Sequence, residues 1–323
     1  MMQILSQGKS PGAAGWEGEM QNHSGSRILV LGSHGNLGSQ IVRELKINGA
    51  GELYPWTRAD CDLTDLNRLE TKIADLHPTV IINTAAYNDV DACEHRISEQ
   101  KKAIMLNVRL VDCLARLCQE SKIKLIHFST NYVFSGTKKY YTEYDQPSPI
   151  NFYGLTKQLG EESIIERMKD GLNGCVIRVS NLFGPCGMSR NSKPSFFEAI
   201  SKAAKKNGAL NVVADERGCF AYTKDVARAL AASFEDEMFS GIYHFVNADP
   251  MSWYEAAALY FHLTDVPVSL RPVDGSSYGR EAPRPGSAVL VSTRSETLRS
   301  VQFALQEYLE EMNRTPMTRS NDS

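Results

Sequence analysis

A short β-rich apolar run, Arg27-Ile28-Leu29-Val30-Leu31, ends in Gly32-Ser33-His34-Gly35-Asn36-Leu37-Gly38, and the chain continues as Ser39-Gln40-Ile41-Val42-Arg43-Glu44-Leu45 with apolar residues at helical spacing. Strand, glycine turn and helix in that order leave few folds open. The glycines permit a tight turn and let the backbone approach a pyrophosphate. The helix N-terminus adds unpaired N–H groups and the positive end of its dipole. The spacing is G-x-x-G-x-x-G rather than G-x-G-x-x-G, so it is the flanking strand and helix that point to a nucleotide site.

The same alternation recurs downstream. Glu52–Arg58 reads as a second strand, and Asp62-Leu63-Thr64-Asp65 starts a helix over Leu66–Leu76 that His77-Pro78 ends. Thr79–Asn83 reads as a buried strand, and the small residues Thr84-Ala85-Ala86 after it would let a ligand lie close to the backbone. Residues 99–120 read as one amphipathic helix with Ile104, Leu106, Val108, Val111, Leu114, Leu117 and Cys118 inward. Lys124–Thr130 and Cys175–Val179 are further strands. Repeated strand–helix units imply an α/β fold, a doubly wound parallel sheet of Rossmann type with both faces covered.

Beyond Val179 the pattern is less regular, with helices over 195–206, 224–235 and Trp253–Leu263, strands over Asn211–Ala214 and Gly241–Val246, and an extended loop over Asp215–Thr223. We expect a nucleotide-binding domain over 27–180 plus 224–248. A smaller C-terminal substrate-binding lobe would take 181–223 plus 249–323. Residues 1–26, rich in Gly, Ser, Gln and Asn, read as a disordered extension without the apolar core of a signal peptide.

The residues that carry chemistry lie at the carboxyl ends of the strands, the edge where open α/β sheets bind ligands. Tyr153 and Lys157, four apart on a helix, share one face. A phenol has a pKa near ~10, and an ammonium beside it would lower that value toward the range of a useful general acid. Thr130, at the end of its strand, could hydrogen-bond the oxygen that gains the proton. His127 reads as a packed strand residue. After the second strand Arg58 comes before the acids Asp60 and Asp62, which tilts cofactor choice towards NADP(H), with NAD(H) second, because an Arg receives a 2′-phosphate.

Composition excludes several classes. A net charge of −3 offers no field for nucleic acid or an anionic membrane, and no apolar run approaches the ~18 residues of a membrane span. The seven cysteines, at 61, 93, 113, 118, 175, 186 and 219, form no Cys-x-x-Cys pair. Their scatter speaks for a reducing cytoplasm and against a disulfide framework or a metal site.

Taken together, Gly32/Gly35/Gly38, Ser129-Thr130 and Tyr153-x-x-x-Lys157 resemble an extended short-chain dehydrogenase/reductase. Asn83-Thr84-Ala85-Ala86-Tyr87 with Val90-Asp91, Ser129–Thr137 and Pro149–Lys157 resemble its dTDP-4-dehydrorhamnose reductase (dTDP-rhamnose synthase) branch. So do Gly241–Phe245 and Arg284-Pro285. The resemblance implies reduction of the keto group of a nucleotide-linked deoxysugar, with Tyr153 as proton donor, Lys157 lowering its pKa and holding the nicotinamide ribose, and Thr130 on the carbonyl oxygen. It places Gly32, His34, Gly35, Asn36, Leu37 and Gly38 around the pyrophosphate, Arg58, Asp62 and Leu63 near the adenosine, and Ala85, Ala86 and Tyr87 beside the cofactor. Val90, Asn131, Tyr132 and Asn181 would line the sugar pocket, and a homodimer is the implied assembly.

Two positions depart from the branch: Asn131 stands where Asp is usual, and Asn181 where the Arg-x-Ser-Trp pattern has its indole, so a pocket wall is expected to be missing. Two alternatives stay open. One is an epimerase or dehydratase of a nucleotide sugar. The other is a non-catalytic NADP-binding subunit, since the regulatory subunit of methionine adenosyltransferase resembles the same branch.

Overall fold

The computed structural model describes residues 25–189 and 192–314. The expected extension over 1–26 lies, apart from its last two residues, outside them.

Six strands form one parallel sheet: β1 (Arg27–Leu31), β2 (Glu52–Trp56), β3 (Val80–Asn83), β4 (Lys124–Thr130), β5 (Gly174–Val179) and β6 (Gly241–His244). Their order across the sheet is β6-β5-β4-β3-β1-β2. From β3 to β5 every residue is buried, as befits strands covered on both faces. Successive side chains divide between the faces. Ile28, Val30, Ile82, Ile126 and Ile177 pack with α1 (Asn36–Ile47) on one side; Leu29, Leu31, Ile81, Leu125 and Val176 pack on the other with α2 (Leu66–Leu76). This is the doubly wound Rossmann arrangement expected. The chain leaves β1 for β2 on one side and returns to β3 on the other, so the carboxyl ends of β1 and β3 flank a topological switch point.

The single helix expected over 99–120 is interrupted. α3 (Ile97–Ile104) and α4 (Leu110–Ser121) are joined by a wide π-type turn at Met105–Arg109. A π-turn advances the helix by one extra residue, so a constant period misassigns the faces on one side of it. Ile104, expected inward, is 36% exposed, whereas Val111, Leu114 and Cys118 are buried. Asn107 in the turn is fully buried. Its carboxamide accepts from Tyr87 N at 2.9 Å and donates to Tyr87 O and Thr156 Oγ1, both at 3.0 Å.

α5 (Phe152–Lys169) follows β4 through a long loop and lies across its end. Asn151 caps it, its Oδ1 accepting from Gly154 N at 2.8 Å. Gly154 is the point of closest approach, since a Cβ there would sit 2.1 Å from the Tyr132 carbonyl oxygen. Under α5, Glu161 receives Arg178 of β5 in a salt bridge with both side chains 1% exposed.

The rest of the chain builds a second cluster of aromatic and aliphatic side chains, with Phe183, Phe197, Phe220, Tyr222, Tyr260 and Tyr308 at its heart. α6 (Phe196–Lys206), α8 (Trp253–Thr264) and α9 (Val301–Arg314) supply most of it, while α7 (Thr223–Ser233) belongs to the sheet and packs beside α1. Within the extended loop expected over Asp215–Thr223 lie two short strands, Arg217–Gly218 and Ala221–Tyr222, which pair with Met251–Ser252 and Leu182–Phe183.

Candidate active site

The turn after β1 meets the turn after β3. Gly32 has φ +76°, and a Cβ on it would lie 2.8 Å from both Ala85 N and Thr84 Oγ1. Gly38 is tighter still, because its Cβ would fall 2.3 Å from the Gly32 carbonyl oxygen. α1 then begins with no side-chain cap and no acidic residue in its first turn. A helix start without a cap or acid, beside a turn that only glycine can make, fits a bound diphosphate. Within this cradle His34 is exposed and Leu37 is buried in the core beneath. Asn36 faces the far side of the cleft: its Oδ1 accepts from Gly187 N at 2.9 Å and its Nδ2 donates to Lys193 O at 3.0 Å.

At the end of β2 Arg58 is exposed, and its charge helps to lower the Asp62 carboxyl, which is held down first by the Thr64 backbone N–H. Leu63 packs at the edge of the core. Ala85 is half-buried and Ala86 exposed along the turn after β3, and the Tyr87 hydroxyl donates to Glu99 at 3.0 Å.

Thr130, at the end of β4, and Tyr153, in the first turn of α5, come together. Burial pushes the Tyr153 phenol up to about 12, and the nearby Thr130 hydroxyl pulls the other way. The ring meets Tyr132 edge-on at 6.0 Å. The expectation that Lys157 lowers this phenol is not met in this geometry. Lys157 is 2% exposed, and its Nζ donates to the Phe128 carbonyl oxygen at 2.7 Å and sits 3.1 Å from His127 Nε2. Lys157 is not among the groups that shift the phenol, and burial brings its own pKa down to about 8 against the opposing charge of Glu161.

Beside Tyr132, whose ring meets Tyr153, opens a cleft. Asn131, Tyr132 and Asn181 line it as expected; Val90 does not, and instead its carbonyl takes the Cys93 thiol in the turn before Ala92–His95. Asn181 has φ +26°, an uncommon conformation for a non-glycine residue and one that often marks a functional site. The expected gap in the wall is filled, because Trp253, the first residue of α8, lines the cleft and packs on Phe196 at 4.8 Å. Two cations stand by Tyr132: Arg284, paired with Asp91 at 2.7 Å, and Arg280, paired with Glu216. Sequence reading missed Trp253, Arg280 and Glu216, which no motif flags. The Asn83–His127 pair below Lys157 had a signal, a polar residue at an inward position of each of two buried strands.

Residues 26–315 match the family described as the RmlD substrate binding domain. A spore coat polysaccharide biosynthesis protein of Bacillus subtilis, SpsK, is 32% identical over 293 residues, which cover 88% of this chain and 98% of that protein. A dTDP-4-keto-6-deoxy-D-glucose reductase of Streptomyces niveus is 33% identical, covering 82% of this chain and 88% of its own. Among solved structures, dTDP-4-dehydrorhamnose reductase of Bacillus anthracis in complex with NADP superimposes with a TM-score of 0.80 at 27% identity, covering 88% of this chain and 99% of that one.

Proposed function

The chain belongs to the RmlD substrate-binding domain family, and from that premise we propose that it is an NADPH-dependent reductase of a nucleotide-linked keto-sugar, a dTDP-4-keto-6-deoxyhexose. NADH would be the second cofactor the site accepts. The observation that carries the reading is the juxtaposition of Thr130, at the end of β4, with Tyr153, in the first turn of α5, next to Asn131 and Tyr132 of the cleft.

When bound, the nicotinamide cofactor supplies the hydride that reduces the carbonyl carbon. The chain's own part is positioning and the proton. Gly32, Gly35, Gly38 and the N–H groups opening α1 would receive the diphosphate, Arg58 the 2′-phosphate, and Lys157 the nicotinamide ribose. Thr130 Oγ1 would hold the substrate carbonyl oxygen. A phenol whose pKa lies far above neutrality keeps its proton until that oxygen becomes more basic than the phenolate, so Tyr153 suits donation to a nascent alkoxide. Water then returns the proton to Tyr153. Asn131, Tyr132 and Asn181 would orient the sugar, with Trp253 as the aromatic wall and Arg280 and Arg284 on the side of the nucleotide.

The domain division expected from the sequence, with the lobe carrying the substrate, suits this reading. So does a cytoplasmic enzyme: all seven cysteines are free, and no helix among the described residues is long and apolar enough to cross a membrane. The homodimer is tested by sedimentation.

The test is nicotinamide oxidation with NADPH, then NADH, using dTDP-4-dehydrorhamnose. Consumption that depends on the sugar, and that falls about 10²–10⁴-fold in Tyr153→Phe with cofactor affinity unchanged, is the expected result. Full turnover in Tyr153→Phe would remove Tyr153 from its role. Tight NADPH binding without consumption across a panel of keto-sugars would favour the binding-subunit alternative.

A further inference from the structure

Beneath the site lies a buried polar chain that the reaction as derived does not use. Asn83 at the end of β3, His127 on β4 and Lys157 on α5 are 0%, 0% and 2% exposed. The backbone N–H of Ala85 donates to Asn83 Oδ1 at 3.0 Å. Asn83 Nδ2 faces His127 Nδ1 at 3.1 Å, and His127 Nε2 faces Lys157 Nζ at 3.1 Å.

The polarity of this chain follows from its fixed end. A peptide N–H can only donate, so the Asn83 oxygen must face Ala85 and its NH2 must face His127. His127 Nδ1 must therefore accept. A neutral imidazole that accepts at Nδ1 carries its proton on Nε2, so the ring presents a donor to Lys157. An ammonium has three donors and no acceptor; an amine has a lone pair. Charging Lys157 in this arrangement would set donor against donor somewhere in a chain of fully buried groups. Only the amine satisfies every member, accepting from His127 and donating to Phe128 O.

We propose that His127 is a positioning residue that favours the uncharged amine of Lys157 in the empty site, so that under alkaline conditions loading is coupled to the uptake of one proton at Lys157. The coupling rests on the reading of Lys157 as the residue that holds the nicotinamide ribose, whose hydroxyl oxygens can accept and so favour the ammonium. Among the described residues no side chain other than His127 hydrogen-bonds the Lys157 amine. Glu161, one turn further along α5, is committed to Arg178 of β5 by hydrogen bonds at 2.7, 3.0 and 3.2 Å. Tyr153, one turn back, is a neutral phenol. Burial drives both His127 and Lys157 towards their uncharged forms, and a charged Lys157 would further disfavour a charged His127, while Glu161 acts the other way on Lys157 and favours its ammonium.

Two measurements test this. The ¹⁵N spectrum of His127 without cofactor should show the proton on Nε2; a proton on Nδ1 would overturn the proposal, and this readout needs neither a variant nor the cofactor. NADPH affinity measured by titration calorimetry against pH should weaken about tenfold per unit above a break near the Lys157 pKa, with one proton taken up in buffers of differing ionisation heat. In His127→Leu, which removes the donor, the break should move up by about one unit or more. An unchanged break in a folded His127→Leu protein would overturn the coupling. Failure of NADPH to bind at any pH would instead overturn the proposed function, leaving the tautomer to be read on its own.

Discussion

Arg178→Met tests how α5, which carries both Tyr153 and Lys157, is fixed to the sheet. Arg178 and Glu161 are each 1% exposed, and the guanidinium makes three hydrogen bonds to the carboxylate. Methionine keeps the apolar stem against Phe134, over whose ring the guanidinium carbon sits at 4.9 Å. What is lost is the charge, and Glu161 is left buried without its partner. His244, 3.5 Å from the guanidinium, is pushed down first by burial, which persists in the variant and works against its replacing the lost charge. Removing one member of a buried pair costs about 3–5 kcal/mol, which in a protein of this size corresponds to a fall in Tm of about 6–20 °C. Removing both should cost far less, because two apolar side chains leave no unpaired charge. The Glu161→Leu/Arg178→Met protein should lie within about 2 kcal/mol of the wild type. Thermal unfolding of the two single variants, the double variant and the parent closes the cycle. A single variant that loses under about 1 kcal/mol, or a double variant that loses the sum of the two singles, would refute the account of the pair as a mutually compensating buried charge.

Gly38→Ala would place a Cβ 2.3 Å from the Gly32 carbonyl oxygen and 2.7 Å from Thr84 Oγ1, so the cradle must shift. NADPH affinity should fall by about 10-fold or more while the protein stays folded, as read by fluorescence titration beside circular dichroism. Because burial raises the Tyr153 phenol to about 12, the acid keeps its proton across an ordinary assay range, and any alkaline limb of turnover near pH 8 reports Lys157 instead. A limb that persists at the same pH in a Lys157→Met protein with residual turnover would count against that assignment. On Glu307, burial acts to raise the carboxyl, but hydrogen bonds from Arg228 and Arg299 prevail and hold it at about 2. A depressed folded-state pKa stabilises above the unfolded value of 4.5 and is lost as pH falls through about 2. Glu307→Gln should therefore flatten the fall in Tm between pH 5 and pH 2, and parallel curves would exclude the effect.

The fold was legible because its signals are local. β1, the glycine turn and α1 each announce themselves within a dozen residues, and buried parallel strands show as unbroken apolar runs. The π-turn at Met105–Arg109 was not legible, because one extra residue within a helix changes no composition and only shifts the phase. The site divides in the same way. Thr130, Tyr153 and Lys157 come from adjacent elements of a repeating topology, so their convergence follows from the strand–helix order. Trp253 and Glu216 reach the cleft from a lobe assembled from distant segments, where no period links them to the sheet. The direction of the Lys157 amine was illegible for another reason. Sequence spacing places Lys157 on the same face as Tyr153, but which neighbour it bonds depends on His127 and the Phe128 carbonyl beneath it.

The departure at Asn131 is explained by what stands opposite. Its Nδ2 lies 3.3 Å from the Ala288 carbonyl oxygen, and its Oδ1 accepts from Thr130 Oγ1 at 3.3 Å. The residue is 3% exposed. A carboxylate in this position could keep the second contact but would set an acceptor against the Ala288 oxygen, at the cost of an unsatisfied buried group. The amide therefore belongs with the local path of the chain through Pro285 and Ala288, which line the same cleft. The contact with the Asn131 oxygen leaves the Thr130 hydroxyl engaged sideways before a substrate arrives. A carbonyl oxygen that binds between Thr130 and Tyr153 must draw that hydroxyl away from Asn131. On the proposed reading Asn131 would act through Thr130, by setting how freely its proton can turn toward the oxygen that Tyr153 would protonate.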